Sequence, residues 1–239
     1  MKGILCCGGS GTRLYPATLA VNKHFLVHER EPLFLRAVWQ MSLFDIDGLA
    51  VVTSPEAEIG VIRLLSWVDA TLPWIPQVFV QDRPLGIPHA IGHARDFVKN
   101  DSCIVMLADN IFSEPESVAE EVMKWKGVGC CIYTAWSPHP QDFGNVIYDG
   151  VGEIKDVVEK PQDPTVCGNG DNVLVGLYGF DHNLWSIIPT LELSARGESE
   201  IIDVIRHYLV NKELAVRRTP SLWRDVGTWD DYEDVIRNF

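Results

Sequence analysis

The chain has 239 residues, of which 46% are hydrophobic and 22% are charged, and its formal net charge is −13. A chain of this size and composition is typical of a globular protein with one sizeable core. The acidic balance excludes nucleic-acid polymers as expected partners, because such partners are bound by clustered lysines and arginines.

The lengths of the apolar segments and the placement of the cysteines indicate the cellular compartment to expect. No apolar run reaches the roughly 20 residues that a membrane helix needs. The first predicted strand begins by Gly3, which leaves no room for a signal peptide. The 6 cysteines lie mostly in apolar segments without a C-x-x-C pair, which favours buried free thiols over zinc sites or disulfides. We therefore expect a cytoplasmic protein without membrane contact.

Segments of strand and helix character alternate through about the first 135 residues. The predicted strands cover residues 2–7, 48–53, 77–80, 103–107 and 128–135, and the predicted helices cover 56–68, 88–98 and 116–125. This alternation predicts an α/β fold with a doubly wound, mostly parallel sheet and helices on both faces. Ligands bind such sheets at the carboxyl ends of the strands, where the Gly8 loop, Gln81 and Asp109 would meet.

The second half of the chain, from Phe143 onward, has shorter predicted strands separated by Gly, Asp and Pro clusters. These strands cover residues 146–148, 154–158 and 173–180, and helices are predicted at 198–210 and 230–236. Neither a linker nor an internal repeat separates the two halves. We interpret residues 1–239 as one domain with a mixed sheet.

A glycine-rich segment follows the first strand directly, with the order Gly8, Gly9, Ser10, Gly11, Thr12, Arg13. Small residues there allow backbone N–H groups to close on a phosphate. Arg13 can bind phosphate oxygens in bidentate fashion, and Lys23 adds a second cation. An ordinary glycine-rich turn would explain the glycines alone, but it would not explain the two cations. The segment therefore predicts a polyphosphate site.

This segment matches neither a Walker loop nor a dinucleotide-binding fingerprint, since Thr12 and Leu14 stand where those motifs need Lys and Gly. It resembles the G-G-x-G-T-R-L-x-P-x-T signature of the sugar-phosphate nucleotidyltransferases, and residues 22–26 are most similar to the glucose-1-phosphate thymidylyltransferase branch. The resemblance implies a GT-A-like nucleotidyltransferase fold. It also implies magnesium-dependent condensation of a nucleoside triphosphate with a sugar 1-phosphate, which releases pyrophosphate.

Two carboxylates are candidate magnesium ligands. Asp109 follows the most apolar predicted strand, although it could instead cap the next helix. Asp225 lies in a segment similar to the family's W-x-D-x-G-T motif, although an Asp before Gly is also common in turns. The resemblance implies that both bind the metal. It further implies that Arg13 acts on the leaving pyrophosphate and that Lys23 lies near the α-phosphate, so that Arg13, Lys23 and Asp109 form the catalytic set.

The remaining candidate residues concern the base and the sugar. The resemblance places Gln81 and Gly86 at a pyrimidine base, where an amide offers both a donor and an acceptor; a surface loop is the alternative. It implies that residues 1–135 bind the nucleotide and that residues 136–239 bind the sugar phosphate. The candidate sugar-phosphate ligands are Asn110, Gly144, Glu159, Lys160, Leu174 and Trp223. The Glu159–Lys160 pair could also be an ordinary exposed pair before a turn.

Several functional alternatives stay open. The chain departs from the family pattern at Val27, Ala108 and Val175, which affects the sugar and base assignments more than the phosphate chemistry. A UTP- or CTP-dependent nucleotidyltransferase and a non-catalytic regulatory protein that binds nucleotide sugars are both rivals. A homo-oligomer is possible. Because the chain ends soon after Asp225, we expect no regulatory site of the kind that longer relatives carry.

Overall fold

A large mixed sheet flanked by helices organises the fold. The structure is a computed structural model, and it describes residues 1–163 and 165–239. Its strands are β1 (Lys2–Cys7), β2 (Val27–His28), β3 (Glu31–Pro32), β4 (Leu49–Thr53), β5 (Gln77–Val80), β6 (Cys103–Leu107), β7 (Asn110–Phe112), β8 (Cys130–Ala135), β9 (Gly144–Tyr148), β10 (Ile154–Glu159), β11 (Val173–Phe180), β12 (Leu214–Arg218) and β13 (Trp223–Asp225).

In the described residues, eight helices of varied length connect these strands, and short 3-10 turns such as Thr12–Leu14 and Lys23–Phe25 follow β1. The helices are α1 (Leu33–Ser42), α2 (Glu58–Val68), α3 (Ile87–Gly92), α4 (Arg95–Val98), α5 (Pro115–Val122), α6 (Leu184–Ile187), α7 (Ile201–Val210) and α8 (Trp229–Asn238). Thr228 and Asp231 form a reciprocal capping box that fixes the start of α8.

Within residues 1–163 and 165–239, nine strands form the main sheet, in the order β10-β9-β11-β6-β1-β4-β5 with β8 and β12 attached through β11. The pairs β1–β4, β1–β6 and β4–β5 are parallel, whereas β11 runs antiparallel to β6 and joins the second half of the chain to the first. Two further ribbons, β2–β3 and β7–β13, lie outside the main sheet.

Alternating side chains of the central strand divide the core between the two faces of the sheet. Leu5 and Cys7 pack in a cluster with α1, α2 and α5, whereas Ile4 and Cys6 pack in a second cluster with α3, α6 and α7. A strand with both faces covered in this way has a continuous apolar sequence. The predicted α/β fold with helices on both faces is thereby confirmed.

Some predicted elements differ from those observed. The predicted helix 88–98 is two helices, α3 and α4, separated after Gly92, a residue with weak helix propensity. Helix α1 was not predicted, because it follows Pro32 without a side-chain cap. Strands β7 and β13, with three residues each, are too short to show a periodic pattern. Strand β12 was also missed, since its residues are only partly buried.

The cysteine side chains lie inside the fold, and the helices are short. All 6 cysteines are buried, as predicted, and burial raises the pKa of Cys7 and of Cys103 to about 12. These thiols are accordingly poor nucleophiles. Among the described residues, none of the helices has the length and apolar character needed to cross a membrane.

Candidate active site

A cavity of about 740 Å³ lies where β1, β5 and β6 end, and it brings together most of the predicted site residues. Ser10, Gly11, Thr12 and Lys23 are not among the residues that line it. The predicted residues that do line it are Gly8, Gly9, Arg13, Gln81, Gly86, Asp109, Asn110, Gly144, Glu159, Lys160, Leu174, Trp223 and Asp225.

The glycine segment adopts backbone angles that favour glycine. Gly9 has a φ of 102° and Gly11 a φ of 59°. A Cβ on Gly11 would lie 3.1 Å from Cβ of Lys23 and 3.1 Å from a methyl carbon of Thr18. The hydroxyl of Thr18 also donates to the Gly11 carbonyl over 2.7 Å. The loop is thus packed tightly against the segment that carries Lys23.

Arg13 is exposed at the cavity edge and lies beside Gly227. A Cβ on Gly227 would come within 2.7 Å of Nη2 of Arg13 and within 3.3 Å of Oδ2 of Asp225. The absent side chain at Gly227 therefore leaves room for the guanidinium next to Asp225. None of the described residues forms a hydrogen bond or an ion pair with the Arg13 guanidinium, so its donors are free for a ligand.

A buried network holds Asp109 in one orientation. Oδ2 of Asp109 forms an ion pair with the Lys23 ammonium group, and Oδ1 accepts a hydrogen bond from Nδ2 of Asn110 over 2.9 Å. The Asn110 oxygen in turn accepts from Nε1 of Trp223 at 2.6 Å and from the Gly176 amide at 2.8 Å. Asn110 and Trp223 line the cavity, but their polar atoms also position Asp109.

The charge state of Asp109 follows from this network. Burial alone would raise the pKa of Asp109, but the adjacent Lys23 outweighs it and lowers that pKa to about 2. Asp109 is therefore ionised at neutral pH.

Asp225 lies beside Asp109 because β7 and β13 pair. The antiparallel register places Asp225 opposite Asn110, and the Val226 amide donates to the Asp109 carbonyl over 2.8 Å. Burial and the charge of Asp109 raise the pKa of Asp225 to about 8. Two neighbouring carboxylates that repel each other, with oxygens open to a cavity, match the ligand chemistry of Mg²⁺. The residues present therefore fit a magnesium site.

At the other side of the glycine segment, Gln81 is hydrogen-bonded within the protein. Its Nε2 donates to the Gly86 carbonyl over 3.2 Å and lies 3.0 Å from Nδ1 of His89. A Cβ on Gly86, whose φ is 98°, would come within 2.1 Å of the Ser199 carbonyl oxygen. The sequence assigned the glycine to close approach of the base; in the structure, its missing side chain also admits the backbone before α7.

The predicted sugar end of the cavity gathers charged groups. A Cβ on Gly144 would lie 2.7 Å from a methyl carbon of Leu174 and 3.5 Å from Oε2 of Glu159, so these three residues are neighbours. Oε1 of Glu159 lies 3.6 Å from Nζ of Lys160 and 3.6 Å from Nη2 of Arg196. Two cations thus flank one carboxylate.

Arg196 is a candidate functional residue that the sequence analysis missed. It lies in the loop before α7, lines the cavity, and forms an ion pair of 2.7 Å with Glu200. A lone arginine in a loop rich in Ser, Gly and Glu is a weak signal. Only the fold brings Arg196 near Lys160, because β11, α6 and a 3-10 turn lie between them in the chain.

Comparison with known proteins agrees with this geometry. The family model described as nucleotidyl transferase matches residues 2–239. The chain belongs to this family. A Mycolicibacterium smegmatis protein named glucose-1-phosphate thymidylyltransferase is 31% identical, over 99% of this chain and 82% of that protein. A Neisseria meningitidis protein of the same name is 32% identical, over 98% of this chain and 81% of that protein. The predicted family resemblance is therefore confirmed, and the chain is an enzyme of the nucleotidyltransferase type.

Solved structures extend the comparison. A Bacillus anthracis protein provisionally named glucose-1-phosphate thymidylyltransferase, solved with sucrose, is 33% identical and has a TM-score of 0.86, covering 99% of this chain and 94% of that one. A UDP-glucose pyrophosphorylase solved with UDP-glucose has a TM-score of 0.82 at 19% identity, covering 99% of this chain and 97% of that one. The second likeness concerns the fold alone.

Proposed function

We propose that the nucleotidyltransferase transfers the thymidylyl group of dTTP to glucose 1-phosphate and releases pyrophosphate. The observation that carries the proposal is that one cavity has cations at two separate places and includes the adjacent carboxylates Asp109 and Asp225 in its lining. Arg13 lies beside Asp225, whereas Lys160 and Arg196 lie beside Glu159. Two phosphorylated substrates need two such groups. The relatives named glucose-1-phosphate thymidylyltransferase support the choice of substrates.

The reaction requires little covalent chemistry from the protein. An oxygen of the sugar phosphate attacks the α-phosphorus and forms a new P–O bond, while the bond from the α-phosphorus to the bridging oxygen breaks. Pyrophosphate leaves with that electron pair. A phosphate monoester is already an oxyanion at neutral pH, so no general base is needed. Positioning and charge stabilisation dominate such transfers.

Each charged side chain has a task in this scheme. Arg13, whose donors face the cavity, stabilises negative charge that develops on the leaving pyrophosphate. Lys23 keeps Asp109 ionised and supplies positive charge near the α-phosphate. Asp109 and Asp225 would hold Mg²⁺, which neutralises phosphate charge when it is bound. Lys160 and Arg196 bind the phosphate of the sugar substrate, and Glu159 accepts hydrogen bonds from sugar hydroxyls.

The test is pyrophosphate release measured with dTTP, UTP, CTP, ATP and GTP against a set of sugar 1-phosphates, with and without Mg²⁺. We expect the highest kcat/KM with dTTP and glucose 1-phosphate and no turnover without the metal. A higher value with UTP or CTP would assign a different nucleotide. Binding of a nucleotide sugar without turnover of any pair would indicate a regulatory protein instead.

Arg13→Ala tests, in the same assay, whether Arg13 stabilises the leaving pyrophosphate. Loss of charge stabilisation in the transition state should lower kcat by about two to four powers of ten and leave the melting temperature unchanged. Arg63→Ala is the control, because Arg63 is exposed on α2, away from the cavity. An unchanged kcat together with a lowered melting temperature would make Arg13 a structural residue.

A further inference from the structure

His89 lies outside the cavity lining but contacts a residue that lines it. We propose that His89 is a positioning residue that fixes the Gln81 amide with its oxygen towards the base, and that it thereby selects bases with an N–H donor at that edge. The inference rests on the proposed function and deepens it, because it assigns the base preference to one hydrogen bond.

The orientation of the Gln81 amide follows from its partners. The Gly86 carbonyl, 3.2 Å away, can only accept a hydrogen bond, so the amide atom that faces it must be Nε2. The same Nε2 lies 3.0 Å from Nδ1 of His89. An amide nitrogen has two hydrogens, and these two partners occupy both.

The oxygen of the amide is the atom left for a ligand. None of the described residues donates a hydrogen bond to Oε1 of Gln81, which lies 3.4 Å from the place of a Cβ on Gly8. Gly8 and Gln81 both line the cavity. The site therefore presents an acceptor to the base, whereas the sequence analysis expected a donor and an acceptor together.

The protonation state of His89 agrees with this arrangement. Nδ1 must accept from Gln81, so the ring is neutral with its proton on Nε2. Burial, together with His93 and Arg83, lowers the pKa of His89 and outweighs the opposite effect of Asp82. The lowered pKa favours a neutral His89 ring at pH 7.

A metal site is the competing explanation for this cluster. Asp82, His89 and His93 present ligand atoms within 4.8 Å of one another. A neutral His89 ring with Nδ1 engaged by Gln81 and a proton on Nε2 has no lone pair left for a metal. The hydrogen bond to Gln81 therefore favours the positioning role.

The consequence is a preference among triphosphates. Thymine and uracil carry a hydrogen on N3 and can donate to Oε1 of Gln81, whereas N3 of cytosine is an acceptor and would oppose it. An unmatched polar contact in a closed site lowers kcat/KM by about tenfold to a hundredfold. Without His89, the Gln81 amide would keep only its hydrogen bond to the Gly86 carbonyl. Its orientation would then be fixed less firmly, and the preference for dTTP and UTP over CTP would decrease.

The experiment compares kcat/KM for dTTP, UTP and CTP in the wild type, His89→Leu, His89→Gln and His93→Leu. His89→Leu removes the acceptor, whereas His89→Gln restores one. His93→Leu is the matched control, because the His93 ring packs edge-on against His89 at 4.9 Å but does not bond to Gln81. Melting temperatures and the dissociation constants of UTP and CTP are measured on the same proteins.

We expect His89→Leu to reduce the preference for dTTP and UTP over CTP by about three- to tenfold through a higher KM, with kcat nearly unchanged. His89→Gln and His93→Leu should keep the wild-type ratio. An unchanged ratio in His89→Leu, or an equal loss with all three triphosphates, would overturn the inference. If the wild type instead turns over neither dTTP nor UTP with any sugar phosphate, the proposed function itself fails.

Discussion

Gly227 offers a test of the catalytic geometry in which a single methyl group is added. An alanine at this position would place Cβ 2.7 Å from Nη2 of Arg13, whereas ordinary van der Waals contact begins at 3.4 Å. The guanidinium would have to move by about 0.7 Å to relieve this contact, since packed atoms tolerate little overlap. Gly227 is not among the glycines with positive φ, so its backbone accepts alanine.

The expected effect falls on turnover and not on the fold. Displacement of a catalytic group by about 1 Å can cost on the order of a hundredfold in rate. We therefore expect Gly227→Ala to lower kcat by about ten- to a hundredfold, measured as pyrophosphate release at saturating substrates. The melting temperature should change by no more than about 2 °C, because the flexible end of Arg13 absorbs the contact.

Two comparisons show whether Arg13 mediates this effect. Gly150→Ala is the matched control, because a Cβ there would meet nothing within 4 Å, and it should leave kcat unchanged. In an Arg13→Ala background, Gly227→Ala should cause no further loss, since the displaced group is already absent. An unchanged kcat in the single variant would refute the reasoning. A full additional loss in the double variant would refute it too, and would implicate Asp225, whose Oδ2 would lie 3.3 Å from the new Cβ.

Two further predictions concern the carboxylates and the sugar phosphate. The pKa of Asp225 is about 8 in the folded protein and 3.8 for an ordinary Asp, so the free energy of unfolding falls as the pH rises from 3.8 to 8. Mg²⁺ would bind the ionised carboxylate, which is more abundant at pH 8 than at pH 6. Scanning calorimetry should therefore show a larger stabilisation by Mg²⁺ at pH 8 than at pH 6, and Asp225→Asn should abolish that difference. Arg196→Ala should raise KM for the sugar 1-phosphate by about tenfold and leave KM for dTTP unchanged, since a charged hydrogen bond contributes about 1.5–3 kcal/mol. Equal effects on both KM values would place Arg196 outside the sugar-phosphate end.

Strands with a predominantly apolar sequence were the most predictable part of the fold. The bounds of β1, β5, β6 and β11 agree with the sequence prediction, because each strand is a short, mostly apolar run. The sequence analysis did not predict helix α1 or the ribbon β7–β13, and the reasons differ. The first has an amphipathic sequence without a start signal, and the second has no periodicity, since its pairing joins distant parts of the chain.

The site was predictable where a motif follows a strand. Gly8, Gln81 and Asp109 come directly after β1 and β5 and shortly after β6, and parallel strands bring such ends to one edge. Contacts between loops could not be predicted in this way. The approach of Gly86 to Ser199 and the bond between Gln81 and His89 depend on backbone conformations that only the folded chain defines.

The closeness of Asp109 and Asp225 is maintained by apolar packing and not by the two carboxylates themselves. Burial, together with the charge of Asp109, raises the pKa of Asp225, so this carboxyl group opposes folding at neutral pH. The ribbon β7–β13 begins just after Asp109 and ends at Asp225. It is held by a buried cluster of Leu33, Ile111, Val226 and Val235, which joins α1, β7 and α8. A cluster of this kind stabilises the fold by burying apolar area, and this contribution does not depend on the charge of the nearby carboxyl groups. The fold can therefore hold the two carboxyl groups side by side, with Asp225 mainly protonated at neutral pH, and a bound cation would favour the ionised form of Asp225.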